Sequence, residues 1–300
     1  MAKANRQTEI TGAGDLFRCK FIAMGSPCEI LVETGEEVLA RQVADAAAAE
    51  AWRIEDKFSR YLPGNIVDRI NRAGGEAVKV DDETARLIDF AATLHEVSAG
   101  KFDITSGILR EAWTFDGSDR LPAADDVAAI LERVGWSKVS WEHPFLTLGP
   151  GMQIDLGGIA KEYAVDRTAS LLAAQSDEAC LVNFGGDLAT LKPPLQSGAW
   201  QVGIEAPNAE RQIAQKRIRL EHGGLATSGD ARRFLVKDGI RYSHILDPTT
   251  GWPVRDAPRS ITVAADTCTQ AGMLATLAML NGPDAEHFLE AQAVRFWCYR

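Results

Sequence analysis

A carboxylate, two glycines and a lysine lie close together in residues 154–161, which read Ile-Asp-Leu-Gly-Gly-Ile-Ala-Lys. Asp155 ends a strand-like stretch, and the spacing predicts a helix that begins near Gly157 and Gly158. A helix start offers unpaired N–H groups and a partial positive charge, glycines allow close approach to the backbone, and Lys161 adds a mobile cation. The segment is typical of a diphosphate cradle, although an ordinary helix start beside an Asp has the same composition.

A second polar segment contains a histidine that is well placed in the sequence for proton transfer. Residues 227–230 read Thr-Ser-Gly-Asp, a predicted strand then runs through His244, and Asp247-Pro248 starts a turn that Gly251 closes. Histidine ionises near neutral pH, so His244 beside a dense polar turn is a candidate general acid or base. A single histidine on a strand is also common as a structural residue, and the turn residues by themselves indicate only a turn.

Three shorter motifs have residue types that fit ligand binding, but each also has a structural interpretation. Residues 100–107 place an Asp and a Thr beside a phenylalanine, which would fit a ligand ring with hydroxyls or a capped helix start. Residues 182–187 lead an apolar strand into Gly-Gly-Asp, which favours tight backbone packing at a strand end. Tyr61, in Ser-Arg-Tyr after a long helix, could stack on a planar ligand or cover the edge of the core.

Several other site patterns are absent from the sequence. It contains no G-x-x-x-x-G-K-[ST], no G-x-G-x-x-G, no Gly-x-Ser-x-Gly elbow and no His-Glu-x-x-His. The five cysteines include no C-x-x-C pair. Neither a zinc ribbon nor a disulfide framework is therefore expected, and most cysteines are predicted to be small core residues in a reducing compartment.

Hydrophobic spacing predicts the elements that must position these residues. The predicted helices are 37–58, 83–97, about 157–174, 270–280 and 284–292. The predicted strands are Phe17–Ala23, Cys28–Val32, Cys180–Phe184, Trp200–Glu205, Lys216–Leu220, Phe234–Lys237, Arg241–Leu246 and Ser260–Ala264. Because the strands cluster in the second half without regular βαβ alternation, we expect an α+β fold with mostly antiparallel sheets. Residues 1–15 are expected to be frayed or disordered, with a single domain over 16–300.

Composition and charge limit what the protein can bind. The 300 residues are 46% hydrophobic and 25% charged, which is typical of a globular protein with a large core. A net charge of −10 argues against a nucleic-acid footprint, whereas a nest of backbone N–H groups can still hold a small phosphorylated ligand. There is no run of about 18 apolar residues and no signal-peptide core. We therefore expect no membrane span and, by default, a cytoplasmic protein.

Taken in order, these motifs resemble those of the ApbE family, the FAD:protein FMN transferases, over roughly residues 17–282. Each motif is modest, but their shared order makes the resemblance specific. The matching segments are Met24-Gly25-Ser26, Ser59-Arg60-Tyr61, Lys101–Thr105 with Trp113, Asp155–Lys161, Asn183–Asp187, Thr227–Asp230, and His244–Pro248 closing on Thr250-Gly251.

The resemblance implies an α+β fold related to the T-fold, with FAD bound between two halves of the domain. It also implies that FMN is transferred from FAD to a Thr or Ser hydroxyl of a target flavoprotein, with release of AMP. A divalent cation, usually Mg²⁺, is implied at the FAD diphosphate. Some members of the family instead hydrolyse FAD to FMN and AMP.

The roles of individual residues also follow from the resemblance alone. His244 would be the acid or base that assists the attacking hydroxyl, and Lys161 would offset diphosphate charge. Asp155 would accept hydrogen bonds from FAD, and Leu246 would contact FAD through its backbone. The other predicted positions are Met24 and Tyr61 bordering the flavin or adenine, Lys101, Phe102 and Asp103 lining the FAD site, and the Gly158 carbonyl and Thr276 hydroxyl as metal ligands.

Two positions depart from the family's pattern. The last motif of the family reads roughly Ala-Asp-x-Leu-x-Thr, with the Asp and Thr as metal ligands, but this chain has Gly272 at the Asp position and keeps Thr276. Because Mg²⁺ prefers hard anionic oxygens, weaker metal binding is expected unless Asp266 in the preceding loop swings in. Glu162 stands where the family usually has Gly, and we expect it to point to solvent. The alternatives to a transferase are thus an FAD-binding protein with weak or no transferase activity and an FAD pyrophosphatase.

Overall fold

The structure is a computed structural model that describes residues 6–205, 207, 214–230 and 233–300. Helices and strands alternate irregularly along this part of the chain. The helices are α1 (Glu37–Phe58), α2 (Ile66–Asn71), α3 (Asp82–Val97), α4 (Ala124–Leu131), α5 (Ala160–Gln175), α6 (Cys268–Leu280) and α7 (Ala285–Ala291), with 3-10 helices at Ile104–Glu111, Trp136–Lys138 and Gly282–Asp284. The strands are β1 (Glu9–Ala13), β2 (Leu16–Ala23), β3 (Ser26–Glu33), β4 (Val78–Lys79), β5 (Ser140–Glu142), β6 (Phe145–Thr147), β7 (Ala179–Phe184), β8 (Asp187–Thr190), β9 (Trp200–Glu205), β10 (Ala214–Leu220), β11 (Gly223–Gly229), β12 (Phe234–Lys237), β13 (Ile240–Ser243), β14 (Ser260–Ala265) and β15 (Arg295–Tyr299).

Eight of these strands form one large sheet, in the order β1-β2-β3-β7-β8-β11-β14-β15. Each neighbouring pair in it is antiparallel. Three smaller sheets pair β9 with β10, β12 with β13, and β6 with both β4 and β5. This combination of helices and antiparallel strands confirms the predicted α+β class.

The helices α1, α5 and α6 pack on one face of the large sheet. Side chains alternate along β2 and β3, so that Phe21 and Ile30 are buried in this core. A row of buried alanines on α1 allows α5 to lie close against it. Contact between β11 and α6 is closer still, because a Cβ at Gly224 would lie 2.2 Å from the backbone nitrogen of Cys268.

The β9–β10 hairpin packs on the other side of the sheet. Its apolar side chains, among them Trp200 and Ile218, form a second cluster with Leu181 of β7 and Leu188 of β8. Side chains along β7 and β8 point alternately to the two faces of the sheet, because Val182 and Ala189, the neighbours of Leu181 and Leu188, lie in the helix-covered core. The large sheet is therefore covered on both faces in this region.

A third apolar cluster connects several of the motifs found in the sequence. Ile108 and Leu109 of the 3-10 helix pack against Val127 of α4 and Leu235 of β12. Trp113 belongs to the same cluster, and its indole N–H donates to the carbonyl of Gly251 at 2.9 Å. The segment that begins at Lys101 is thereby joined to the turn that follows His244.

Most of the predicted elements are confirmed, with small shifts at their ends. The strand predicted over Arg241–Leu246 is shorter, since β13 ends at Ser243. The expected fraying of residues 1–15 is wrong for Glu9–Ala13, which pair with β2 as an edge strand, while residues 1–5 lie outside the described residues. The sequence did not predict β15, which is fixed by pairing with β14. Within the described ranges, no helix has both the length and the apolar composition needed to cross a membrane.

Candidate functional site

Asp155 lies at the end of an extended segment that leads into α5. The Asn71 side chain holds this segment, because it accepts from the N–H of Ile154 at 2.7 Å and donates to the Ile154 carbonyl at 3.0 Å. The N–H of Asp155 donates to the carbonyl of Ile104 at 2.8 Å. The Asp155 carboxylate accepts from the N–H of Gly157 at 2.9 Å. It is therefore fixed beside the two exposed glycines that precede the helix.

Arg60 is a buried cation beside Asp155. Its side chain is only 3% exposed and donates to Asp155 Oδ2 at 3.2 Å and to Gln153 Oε1 at 2.5 Å. Burial lowers the pKa of Arg60, and the Asp155 charge opposes that shift. A cavity of about 290 Å³ adjoins this group, lined by Arg60, Asp68, Asn71, Arg72, Arg110 and Gln153. The three arginines against one aspartate give the cavity a net positive lining that suits an anionic ligand.

Tyr61 lies at the surface beside these arginines. Tyr61 is 71% exposed, and the guanidinium carbon of Arg110 lies 4.8 Å from the centroid of its ring. An exposed ring of this size can stack on a planar ligand. The predicted contact of Tyr61 with flavin or adenine stays a prediction, and its exposure is compatible with it.

Met24 lies in the tight turn between β2 and β3. Its φ is 51° and that of Gly25 is 66°, so both turn residues are left-handed. A positive φ is uncommon for a residue with a side chain. The N–H of Met24 donates to Glu55 Oε1 at 2.8 Å, which ties the turn to α1.

The segment from Lys101 to Asp103 is held mainly by contacts within the protein. Lys101 Nζ donates to Asn281 Oδ1 at 2.7 Å. The Asp103 carboxylate accepts from the N–H groups of Thr105 and Trp136, each at 2.7 Å. The Phe102 ring packs against the backbone at Gly158, where an added Cβ would lie 3.4 Å from Cε2. Through Phe102 this segment contacts the start of α5, and its direct contact with FAD stays a prediction.

Lys161, in the first turn of α5, forms an ion pair with Asp187. Lys161 Nζ lies 2.6 Å from Asp187 Oδ2, with the lysine side chain 29% exposed and the aspartate buried. Burial disfavours the charged lysine, but the charges of Asp187 and Glu162, together with the hydrogen bond to Asp187, raise the pKa of Lys161. Asp187 is the first residue of β8 because Gly185 and Gly186, with φ of 66° and 102°, form the turn after β7.

Glu162 does not point to solvent, and that expectation is wrong. An added Cβ at Gly272 of α6 would lie 2.5 Å from Glu162 Cγ and 2.9 Å from Oε1. The carboxylate therefore fills the space that a side chain at position 272 would need. Its Oε2 atom is buried and has no hydrogen-bond partner in the part of the chain that is described. Burial, followed by the Asp187 charge, raises the pKa of Glu162 to about 8.

Thr276 lies one helical turn after Gly272 on α6. Its hydroxyl is 2.9 Å from the hydroxyl of Ser228, near the end of β11. Asp266 is exposed in the segment before α6. Across the described ranges, no three His, Cys, Asp or Glu side chains are grouped so as to hold a metal ion. A cation here would thus depend on hydroxyl and carbonyl oxygens in addition to a carboxylate.

Leu246 packs against the third apolar cluster, and the ring of His244 contacts Phe115 at the edge of the same cluster. The His244 ring lies edge-on to Phe115 with centroids 6.3 Å apart, and its Nδ1 is 3.2 Å from the Arg233 carbonyl. A carbonyl can only accept, so Nδ1 carries the proton and Nε2 is left as the acceptor. Burial lowers the pKa of His244. Leu246 pairs with Pro253 across the predicted turn, which is confirmed.

The structure brings several predicted residues together in pairs, but it adds partners that the sequence did not indicate. Asp155 meets Arg60, Lys161 meets Asp187, and Thr276 meets Ser228. Arg60, Asp187 and Ser228 all lie inside the sequence motifs described above, and this was the feature of the sequence that could have pointed to them. Glu162 had no such signal, because only the packing of α5 on α6 directs it toward Gly272.

Comparisons with known proteins agree on one family. The model of the ApbE family matches residues 24–297 of this chain. An FAD:protein FMN transferase of Vibrio cholerae is 32% identical over 237 residues, which is 77% of this chain and 71% of the relative. One of Klebsiella pneumoniae is 30% identical over 262 residues, 85% of this chain and 79% of the relative.

Solved structures give the same result at the level of the fold. The ApbE protein of Thermotoga maritima superposes with a TM-score of 0.85 at 32% identity, and the match covers 94% of each chain. The apo form of the flavinyl transferase ApbE from Pseudomonas stutzeri has a TM-score of 0.81 at 26% identity, over 99% of this chain and 92% of the other.

Proposed function

Because this chain belongs to the ApbE family, we propose that it is an FAD:protein FMN transferase. In this proposal it binds FAD, transfers FMN to a Thr or Ser hydroxyl of a target flavoprotein and releases AMP. The relatives that carry this name support the class of reaction.

The observation that carries the proposal is the arrangement at the start of α5. Two exposed glycines precede the helix, and the Lys161 ammonium is fixed beside them by Asp187 at 2.6 Å. The dipole of α5 adds positive potential at the same end. These groups can offset the charge of a diphosphate, although the protein as a whole carries a net charge of −10.

The proposed chemistry is a single displacement at phosphorus. The acceptor hydroxyl oxygen bonds to the FMN phosphorus of FAD while the bond from that phosphorus to the bridging oxygen breaks, and AMP leaves with that oxygen. His244 takes the hydroxyl proton through Nε2, because Nδ1 is engaged with the Arg233 carbonyl. The lowered pKa of His244 keeps the ring neutral, as a base must be. Lys161 offsets the charge that develops on the leaving AMP.

We also propose that the reaction depends on a divalent cation such as Mg²⁺. When bound, it would polarise the diphosphate and neutralise part of its charge. The Gly158 carbonyl and the Thr276 hydroxyl are the proposed oxygen ligands. The Glu162 side chain lies against Gly272, and its buried Oε2 has no hydrogen-bond partner in the described structure, which supports an ion with oxygen ligands at this place.

Mass spectrometry of an acceptor protein tests the proposal. The purified chain is incubated with FAD, Mg²⁺ and a small flavoprotein domain that carries an acceptor Thr, and a mass gain of one FMN with equal release of AMP is expected. A matched acceptor with Val in place of that Thr should gain nothing.

The same reactions separate the alternatives. AMP release at an equal rate without any acceptor would identify an FAD pyrophosphatase instead. FAD binding without AMP release or FMN transfer, with each of Mg²⁺ and Mn²⁺, would identify an FAD-binding protein and contradict the proposal.

A further inference from the structure

Glu162 and Gly272 are complementary in shape across the α5–α6 contact. Because Gly272 has no side chain, a space is left beside α6, and the Glu162 side chain fills this space from α5. The fit is close, since even a Cβ at position 272 would overlap Glu162 Cγ. The two residues therefore bring one carboxylate, and not two, to this position.

The charges around Glu162 are unbalanced. Glu162 and Asp187 are two buried carboxylates, and Lys161 is the ammonium that pairs with one of them, Asp187, at 2.6 Å. Asp166, on the same helix, is satisfied by the N–H groups of Cys268 and Thr269, each at 2.8 Å. Glu162 Oε2 is buried without a hydrogen-bond partner in the described structure, and burying a charged group in this way is costly unless a cation or a proton neutralises it.

Neutral oxygen donors lie one helical turn along α6 from position 272. Thr276 is four residues after Gly272, and side chains at this spacing lie on the same helix face about 5–6 Å apart. Its hydroxyl lies 2.9 Å from the Ser228 hydroxyl, and a hydroxyl pair of this kind can supply oxygen lone pairs to a cation. One carboxylate with neighbouring hydroxyls is the donor type that Mg²⁺ and Mn²⁺ accept, with water completing the shell.

We propose that the Glu162 carboxylate of α5 is the anionic ligand of a divalent cation at this site, supplied from the opposite helix to the position where Gly272 has no side chain. The inference rests on the proposed function for the presence of a cation. It adds that α5 supplies the anionic ligand in this chain, so that a metal site does not require a carboxylate at position 272 of α6.

Direct binding of Mn²⁺ to the folded protein, without FAD or acceptor, tests the proposal. The electron paramagnetic resonance signal of free Mn²⁺ is titrated with wild-type protein, with Glu162→Gln and with Asp177→Asn. Asp177 is an exposed residue after α5 that pairs with Lys192. Asp177→Asn therefore changes the net charge by the same amount as Glu162→Gln, but away from the α5–α6 contact. We expect Glu162→Gln to weaken Mn²⁺ binding about tenfold or more and Asp177→Asn to leave it unchanged.

A double variant tests the exchange between helices. Glu162→Gly with Gly272→Asp returns the carboxylate to α6 and removes the overlap, so Mn²⁺ affinity should recover most of what Glu162→Gln loses. Circular dichroism confirms that each variant is folded. Wild-type affinity in folded Glu162→Gln, or no Mn²⁺ binding by the wild type up to millimolar concentration, overturns the proposal. A folded double variant that binds as weakly as Glu162→Gln overturns the exchange of position.

These outcomes are distinguishable from failure of the proposed function. If FMN transfer occurs but Glu162→Gln binds Mn²⁺ like the wild type, only this inference fails. If Mn²⁺ binding depends on Glu162 but the acceptor gains no FMN, the proposed function fails and the site stands.

Discussion

The Lys161 ammonium lies 2.6 Å from the buried Asp187 carboxylate, and this contact ties the start of α5 to the first residue of β8. The pair joins a helix to a hairpin that is more than twenty residues away in the sequence. It also fixes the direction of the one lysine in the first turn of α5. A rigid ammonium at a helix start can offset phosphate charge without a further loss of side-chain freedom on binding.

Asp187→Asn should therefore destabilise the protein and weaken FAD binding. Removing one member of a buried pair leaves the other charge uncompensated, at a cost of about 3 kcal/mol, the low end of the usual range because Lys161 is 29% exposed. Urea unfolding measures the stability and quenching of flavin fluorescence measures the affinity. The exposed pair of Asp177 and Lys192 provides the control, and Asp177→Asn should not shift the urea midpoint. Equal midpoints for the two variants would contradict the structural role of Asp187.

His244→Asn should strongly lower the rate of FMN transfer while FAD binding stays within about threefold of the wild type. Loss of a general base typically lowers the rate about 10²- to 10⁴-fold. Single-turnover mass spectrometry of the acceptor measures the rate. His222→Asn, at an exposed histidine before β11, is the matched control and should transfer FMN normally.

The pH dependence of transfer should also reflect the environment of His244. Burial lowers the pKa of His244 below its ordinary value of 6.5, so the neutral base persists as the pH falls to that value. The acidic limb of the rate profile should therefore lie below pH 6.5. The same shift means that folded His244 binds protons less readily than unfolded His244, so its contribution to stability is lost as the pH falls below 6.5. An acidic limb above pH 7 would exclude His244 as the base.

Tyr61→Ser should weaken FAD binding about 5- to 10-fold, because an exposed ring that stacks on flavin or adenine contributes about 1 kcal/mol beyond the area it covers. Tyr61→Phe keeps the ring and should bind FAD as the wild type does. Flavin fluorescence titration compares the three proteins. Unchanged affinity in Tyr61→Ser would show that the ring lies outside the FAD site.

Gly224→Ala should destabilise the fold without touching the site residues. The added Cβ would lie 2.2 Å from the backbone nitrogen of Cys268, and backbone on both sides cannot yield as a flexible side chain would. We expect a loss of about 1–3 kcal/mol in urea unfolding. Gly35→Ala is the control, because its Cβ would meet only Asp15 Oδ1 at 3.6 Å. If Gly224→Ala lost less stability than Gly35→Ala, α6 would be able to shift away from β11.

Local patterns in the sequence were enough for many elements and for the choice of family. The apolar spacing over residues 37–58 gave the bounds of α1, because a helix buries a face at a period that the sequence itself carries. The α+β class followed from the order of helices and strands, and ordered motifs such as the one around Asp155 identified the ApbE family. His244 and Lys161 were recognised because their residue types and their places at element ends limit the chemistry they can do.

Only the tertiary structure determined which neighbour each of these residues meets. Helical spacing shows that α5 has a buried face, but it does not say that α6 covers Glu162 or that position 272 of α6 is the point of contact. That pairing joins residues more than one hundred positions apart and depends on how both helices lie on the sheet. The same reason accounts for β15, whose register is set by β14. The sequence alone determined that this chain lacks a carboxylate at position 272, and the fold determined that another carboxylate occupies the space.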